Sequence, residues 1–132
     1  MNRLPFLLSF GFLALLAGCA NGAGSPLAGT QWRVTGIDGE APVVPQAARV
    51  AFAAGKVDVS VGCNTIDGAY RVDGGRLIAG PFVTTEKACD TRLVAQEEAV
   101  NALLESAPLL SLQGARLRLD SGGHALDLEK AG

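Results

Sequence analysis

Polar and apolar residues alternate without a miss through Lys56-Val57-Asp58-Val59-Ser60-Val61, and again through Arg116-Leu117-Arg118-Leu119 and Leu126-Asp127-Leu128. Successive side chains of a strand point to opposite faces, so a period of two predicts strands with one buried face. Thr30 to Ile37, Arg49 to Phe52, Gly68 to Val72 and Arg76 to Ala79 are further strand candidates with weaker alternation. Asp38-Gly39, Ala54-Gly55, Asp73-Gly74-Gly75 and Ser121-Gly122-Gly123 separate them. Glycine accepts positive φ, so these read as tight turns, several of them hairpins.

One stretch breaks this rhythm. Asp90 to Ser106 has no glycine or proline and is rich in Ala, Leu, Glu and Gln. At helical spacing Leu93, Val100 and Leu104 share one stripe, with Leu103 flanking it. Asp90 is a plausible N-cap, and Pro108 bars continuation. The prediction is a single amphipathic helix packed on a sheet. Glu97 falls on the apolar stripe, where an unpaired carboxylate is costly. Three readings stay open for it: it reaches water at the edge, it pairs with an arginine or accepts backbone N–H groups, or it lines a pocket.

The N-terminus follows a different pattern. Met1-Asn2-Arg3 is a positive lead, and Leu4 to Leu16 is an almost uninterrupted apolar run of 13 residues. A spanning helix needs about 20 residues, so this run reads as the apolar region of a secretory signal. Leu16-Ala17-Gly18-Cys19 follows and resembles the lipobox of bacterial lipoproteins. The resemblance implies cleavage before Cys19 and acylation of its thiol and new amine. Two or three acyl chains anchor stably, at about 0.8 kcal/mol per buried methylene. Residues 1–18 are then the signal, and residues 19–26 are the acylated cysteine and a Gly/Ser/Pro-rich tether. Ala20, where an aspartate would favour retention, implies by the same resemblance the outer membrane.

Two cysteines remain, Cys63 and Cys89. In an oxidising envelope an even pair suggests a disulfide, worth about 3.5 kcal/mol on a chain-entropy view; two buried free thiols are the alternative. The chain of 132 residues is one domain's worth. Without residues 1–18 it keeps ten basic against thirteen acidic side chains, net −3. That net charge gives no reason to expect nucleic acid or anionic lipid as a partner. Trp32, Phe52, Tyr70 and Phe82 are the only aromatic residues after the signal, so the core must be mainly aliphatic.

Three segments carry a family likeness. Leu27-Ala28-Gly29-Thr30-Gln31-Trp32 precedes a strand, Gly62-Cys63-Asn64-Thr65-Ile66-Asp67-Gly68-Ala69-Tyr70 follows one, and Thr85-Glu86-Lys87-Ala88-Cys89 leads into the helix that carries Glu97. In this order they resemble the META domain family, which includes HslJ-like bacterial lipoproteins. The likeness spans residues 27–129. It implies an α+β, mostly β fold: a partly open barrel with the helix packed across it and the two cysteines close together. It implies no reaction, only a general link to envelope stress. Lys87 departs from the family's usual methionine and must snorkel if that position is buried. Gly29, Gly62 and Gly68 read as backbone requirements. Asn64 is suited to bonding its own turn or to left-handed geometry. Trp32 and Tyr70 are apolar bodies whose polar tips need partners. Thr30 and Thr85 complete the motif set.

Catalytic chemistry finds little support. His124 is the only histidine, sits in a glycine turn, and is expected to be solvated. The carboxylates fall singly at turns and exposed strand positions, no CxxC or phosphate loop is present, and neither a metal nor a cofactor is expected. Two functions remain: an envelope interaction module, such as a stress accessory or a hydrolase inhibitor, or a carrier of a small apolar ligand in the barrel mouth. A filled interior favours the first and a lined cavity the second. Segment 38–46, with Val43-Val44 between two prolines, is the best candidate for an exposed apolar docking loop.

Overall fold

A computed structural model describes residues 25–132; Cys19, the signal and the tether as far as residue 24 lie outside the described residues. The described residues form eight strands and one α-helix: β1 (Gln31–Ile37), β2 (Arg49–Ala53), β3 (Lys56–Ser60), β4 (Thr65–Asp73), β5 (Arg76–Thr84), α1 (Thr91–Glu105), β6 (Leu109–Gln113), β7 (Arg116–Asp120) and β8 (Ala125–Lys130). Each strand pairs antiparallel with the next, and β1 pairs with β8. The barrel is therefore closed. The expected partial opening survives only as a thin seam: β5 meets β6 at the single register Arg76↔Leu109, flanked by Leu77 N–H to Pro108 C=O and Leu110 N–H to Gly75 C=O. Strand β6 supplies the closure that the sequence reading lacked.

The alternating strands point their apolar faces inward. Trp32, Val34, Val50, Phe52, Val57, Val59, Ile66, Leu77, Leu117, Leu119, Leu126 and Leu128 are all at most 3% exposed, so they pack the interior against one another. Helix α1 lies against β5, β8 and β1 and buries Val100, Leu103 and Leu104 in the same core. Leu93, expected on the stripe, is only half-buried; its side chain lies instead beside Gly62. Asp90 caps the helix by accepting the Arg92 N–H at 2.9 Å. Ser106 closes it by donating to the Leu103 carbonyl at 2.7 Å.

Because neighbouring strands run in opposite directions, the start of β1, the turns 54–55, 74–75 and 114–115, and the end of β8 share one rim. Leu27 is fully buried at this N-terminal rim, and the Gly29 N–H donates to the Phe52 carbonyl there at 2.8 Å. The connections 38–48, 61–64 and 121–124 and the start of α1 form the far rim.

Two motif glycines answer to crowding. Gly62 has φ +131°, and a Cβ there would meet a Leu93 methyl at 2.8 Å and Val44 at 3.2 Å. At Gly68 a Cβ would stand 2.6 Å from the Phe82 ring and 3.0 Å from the Pro81 carbonyl, beside the irregularity where β4 shifts register against β5. Overpacking costs about 1–3 kcal/mol. Gly68→Ala is expected to lower stability by about that amount in urea unfolding. The double variant Gly68→Ala/Phe82→Ala should cost less than the sum of its parts, because removing the ring removes the clash. Strict additivity would mean the ring is not the obstacle.

Candidate functional site

The motif residues converge at the far rim. Cys63 and Cys89 form a disulfide with Cα atoms 6.1 Å apart, tying the end of β3 to the start of α1. Asn64, the one polar residue classed as buried among those described, sits beside it. Its side-chain amide donates to Glu97 Oε1 at 3.0 Å, and its backbone N–H donates to Glu97 Oε2 at 3.2 Å. Its side-chain carbonyl accepts from the Lys87 N–H at 2.8 Å and from Thr85 Oγ1 at 3.0 Å. Thr85 Oγ1 in turn accepts the Thr65 N–H at 3.0 Å. One asparagine thus joins the β3–β4 turn, the β5–α1 segment and the helix face. Of the readings open for Glu97, two are realised: it accepts backbone and amide N–H groups, and it lines a surface depression. That depression is shallow, about 330 Å³, and is shared with Thr84, Glu86 and Asn101.

Asn64 differs from its sequence reading. It bonds other segments rather than its own turn, and the described non-glycine residues with positive φ are Asp38 and Ala107. Lys87 keeps its side chain exposed and contributes only its backbone N–H, so the replacement of methionine is accommodated without burial. Trp32 Nε1 donates to Thr30 Oγ1 at 2.7 Å, and Thr30 Oγ1 donates to the Leu27 carbonyl. Gly29, with φ +78°, begins the turn into that pair. The Tyr70 hydroxyl donates to the Ala53 carbonyl at 3.1 Å, and its ring meets Phe52 edge-on at 5.0 Å. Tyr70 therefore belongs to the N-terminal rim and Glu97 to the far rim, so the two are not brought together.

Two expectations are corrected. His124 is not simply solvated: its Nδ1 lies 2.8 Å from Asp38 Oδ2, while Asp38 Oδ1 accepts the Ala125 N–H at 2.9 Å. Partial burial pushes the Asp38 carboxyl up, yet the Ala125 N–H and the His124 ring outweigh it and hold the carboxyl below its ordinary value. The arrangement is a clasp between the β1–β2 and β7–β8 connections; the hydrogen bonds were invisible in sequence because the two residues are 86 positions apart. Segment 38–46 is not a free apolar loop. Gln96 on α1 accepts the Val43 N–H at 2.9 Å and donates to the Ala41 carbonyl at 3.1 Å, and Pro42 is buried.

The most exposed large apolar side chain described is Val83, 75% exposed, on the outer face of β5. It borders a depression of about 480 Å³ lined by Ala51, Ala53, Pro81 and the facing pair Asp58 and Asp67. Arg49 Nη1 holds Asp58 at 2.6 Å. Asp67 is pushed above the ordinary carboxylate value by its hydrogen bond to Asp58, then by burial and by the Asp58 charge, against the opposing pull of Arg49 and Lys56. The groove joins two close carboxylates and Lys56 to an apolar wall; no serine, threonine, cysteine or histidine lines it. Among the described residues no group of three metal-ligating side chains forms.

A closed eight-stranded barrel, plugged by a helix and fastened at one rim by a disulfide and a buried asparagine, defines a small β-barrel domain whose motif residues hold the fold. The META domain profile matches residues 25–132, so the chain belongs to the META domain family. Three solved structures share the fold. A protein solved by NMR is 18% identical, with TM-score 0.68 over 78% of this chain and 90% of its own. A Burkholderia xenovorans protein solved by NMR is 21% identical, with TM-score 0.63 over 97% and 99%. A DUF4847 family protein of Bacteroides vulgatus is 17% identical, with TM-score 0.57 over 79% and 94%. No curated protein matches.

The Asp58–Asp67 pair carries a pH prediction. A raised folded pKa makes the protonated form of Asp67 favourable in the fold. That contribution is complete below the unfolded value, about 3.9, and is lost as pH rises through the folded value. Asp67→Asn is therefore expected to raise the melting temperature at neutral pH and to leave it unchanged below about pH 3.9. A neutral-pH melting temperature equal to or below wild type would remove the repulsion.

Proposed function

We propose that this chain is a membrane-anchored envelope lipoprotein whose META domain acts without catalysis, as a binding or interaction module linked to envelope stress. The observation that carries the interaction reading is the filled interior. Leu27, Leu77, Leu119 and Leu126 are fully buried inside the barrel, and the depressions on the domain open on its outer surface. A carrier for an acyl chain needs lined interior space; a protein-facing module needs a stiff outer surface. The groove beside Val83, with its apolar wall and acidic pair, is the best outer surface for an envelope protein partner, a hydrolase among the candidates. Neither a cofactor nor nucleic acid has a part in this reading.

Anchoring rests on the lipobox resemblance at Leu16-Ala17-Gly18-Cys19 and on the terminus of the described domain, which leaves a short tether from that cysteine. The outer membrane, facing the periplasm, follows from Ala20 by the same resemblance. An envelope disulfide agrees with export, since oxidation persists there.

The test is the mass of the protein purified from bacterial membranes. The expected product begins at Cys19, carries a diacylglyceryl thioether and an N-acyl group, and is two hydrogens lighter than the dithiol. A soluble product cleaved elsewhere, with an unmodified cysteine, would overturn the anchor. In the same preparation, native spectra of the barrel after exposure to envelope lipids should show no tightly held lipid; a defined one-to-one adduct would turn the reading to the carrier.

A further inference from the structure

The modest net charge conceals a strong separation. Lys56, Arg71, Arg76, Arg116 and Lys130 all lie at or next to the N-terminal rim, at the ends of β3, β4, β5, β7 and β8. All five are exposed, and none is in an ion pair among the described residues. Three acids without an ion pair among the described residues offset part of this charge: Asp73 on the rim, Asp67 beside Lys56, and Glu105 at the end of α1, two residues before the Ala107 carbonyl that Arg76 bonds; Glu129 is taken up by Arg33 at 2.9 Å. The far rim is the reverse, with Glu40, Glu86, Asp90 and Glu98 against Lys87 and Arg92. The strand alternation explains the pattern: Lys56, Arg71, Arg76 and Arg116 each occupy an outward position next to an inward apolar residue, so their side chains project from the barrel wall at its edge. Leu112, 38% exposed, adds an apolar tip on the hairpin that Arg116 follows.

The chain leaves the domain at this same rim. Ser25 and Pro26 border a depression with Gly55, Arg71 and Val72. Five residues, 20 to 24, lie between Cys19 and Ser25, which makes six chain steps. Fully extended they reach about 20 Å, within roughly two to three screening lengths of a charged surface at physiological salt, about 8 Å each.

We infer that the basic N-terminal rim of the barrel rests on anionic phospholipid headgroups of the membrane, turning the helix-covered, acidic rim and its disulfide outward. The occupant is argued from charge complementarity and from the point where the chain departs. The short tether rests on the lipoprotein reading, whereas the rim's attraction to anionic lipid does not depend on acylation. The orientation is also self-consistent: rotating the barrel end over end would bring the acidic rim to the same surface and be repelled. The overall charge of −3 misleads because the fold sorts it.

Every strand edge is paired within residues 31–130, so a chain starting at residue 20 retains the whole barrel and can be tested without its anchor. Sedimentation with vesicles of phosphatidylcholine alone, or of equal parts phosphatidylcholine and phosphatidylglycerol, reads the surface directly. The expected result is binding to the mixed vesicles only, weakening as salt rises. Each cation near such a surface is worth about fivefold in affinity. The triple variant Arg71→Gln/Arg116→Gln/Lys130→Gln should therefore bind at least tenfold more weakly with an unchanged melting temperature. Lys87→Gln/Arg92→Gln, at the far rim, should bind as wild type does. Equal behaviour on the two vesicle types, or equal loss from both variants, would overturn the orientation. So would binding to soluble polyglutamate but not to the vesicles, which would assign the rim to an acidic macromolecule. The mass of the membrane-purified protein reports separately on Cys19, so failure of the anchor and failure of the surface are distinguishable.

Discussion

Asn64 can exist in this fold only because every part of its amide is used. A buried amide without partners costs about 1–3 kcal/mol, and here the carbonyl accepts from Lys87 and Thr85 while the NH2 group donates to Glu97. The same bonds decide where the helix lies. Glu97 is on the face that turns toward the barrel, so its carboxylate needs donors, and the Asn64 backbone and side chain are the donors on offer. The disulfide next to it shortens the search, since it fixes the β3–β4 turn to the residue before the helix N-cap. Packing of Val100, Leu103 and Leu104 supplies the burial, and the polar node supplies the register.

This division accounts for what the family motifs do. Gly62 lets Leu93 and Val44 approach the turn, Thr85 bridges Asn64 and Thr65, and Gly68 makes room for Phe82. Trp32 and Thr30 perform the corresponding task at the opposite rim, closing the barrel end over Leu27. Motif residues of this kind preserve a shape, and the surface that shape presents is left free to differ. The main surface features of this domain are the basic rim, the acidic far rim, and the groove between Val83 and the Asp58–Asp67 pair.

Elements with a clean period were legible in the sequence. The alternating runs at 56–61, 116–119 and 126–128 became β3, β7 and β8, and the glycine-free stretch became α1 with Asp90 as its cap. Strand β6 was not legible. Leu110-Ser111-Leu112-Gln113 does alternate, but Leu109 precedes it out of phase, and the strand buries no apolar face: Leu109 and Leu112 are exposed, because β6 only bridges the seam between β5 and β7. Without it the barrel reads as partly open. The carboxylate of Glu97 was legible as a problem but not as an answer, since its partner is 33 residues away. The Asp38–His124 clasp and the binding of segment 38–46 to Gln96 share that cause: each is a tertiary hydrogen bond between positions with no periodic relation. Charge sorting between the rims is equally invisible to a net count, as it appears only once strand direction and register are known.

The claim that the Asn64 node, and not packing alone, fastens the helix to the barrel is most directly tested by amide hydrogen exchange in Asn64→Ala with the disulfide intact. The account predicts that the amides around Val100, Leu103 and Leu104 exchange roughly tenfold faster or more, as the loss of about 1.4 kcal/mol implies, while those of β7 and β8 change little. Helix protection equal to wild type would contradict it, leaving the apolar face of α1 as sufficient by itself.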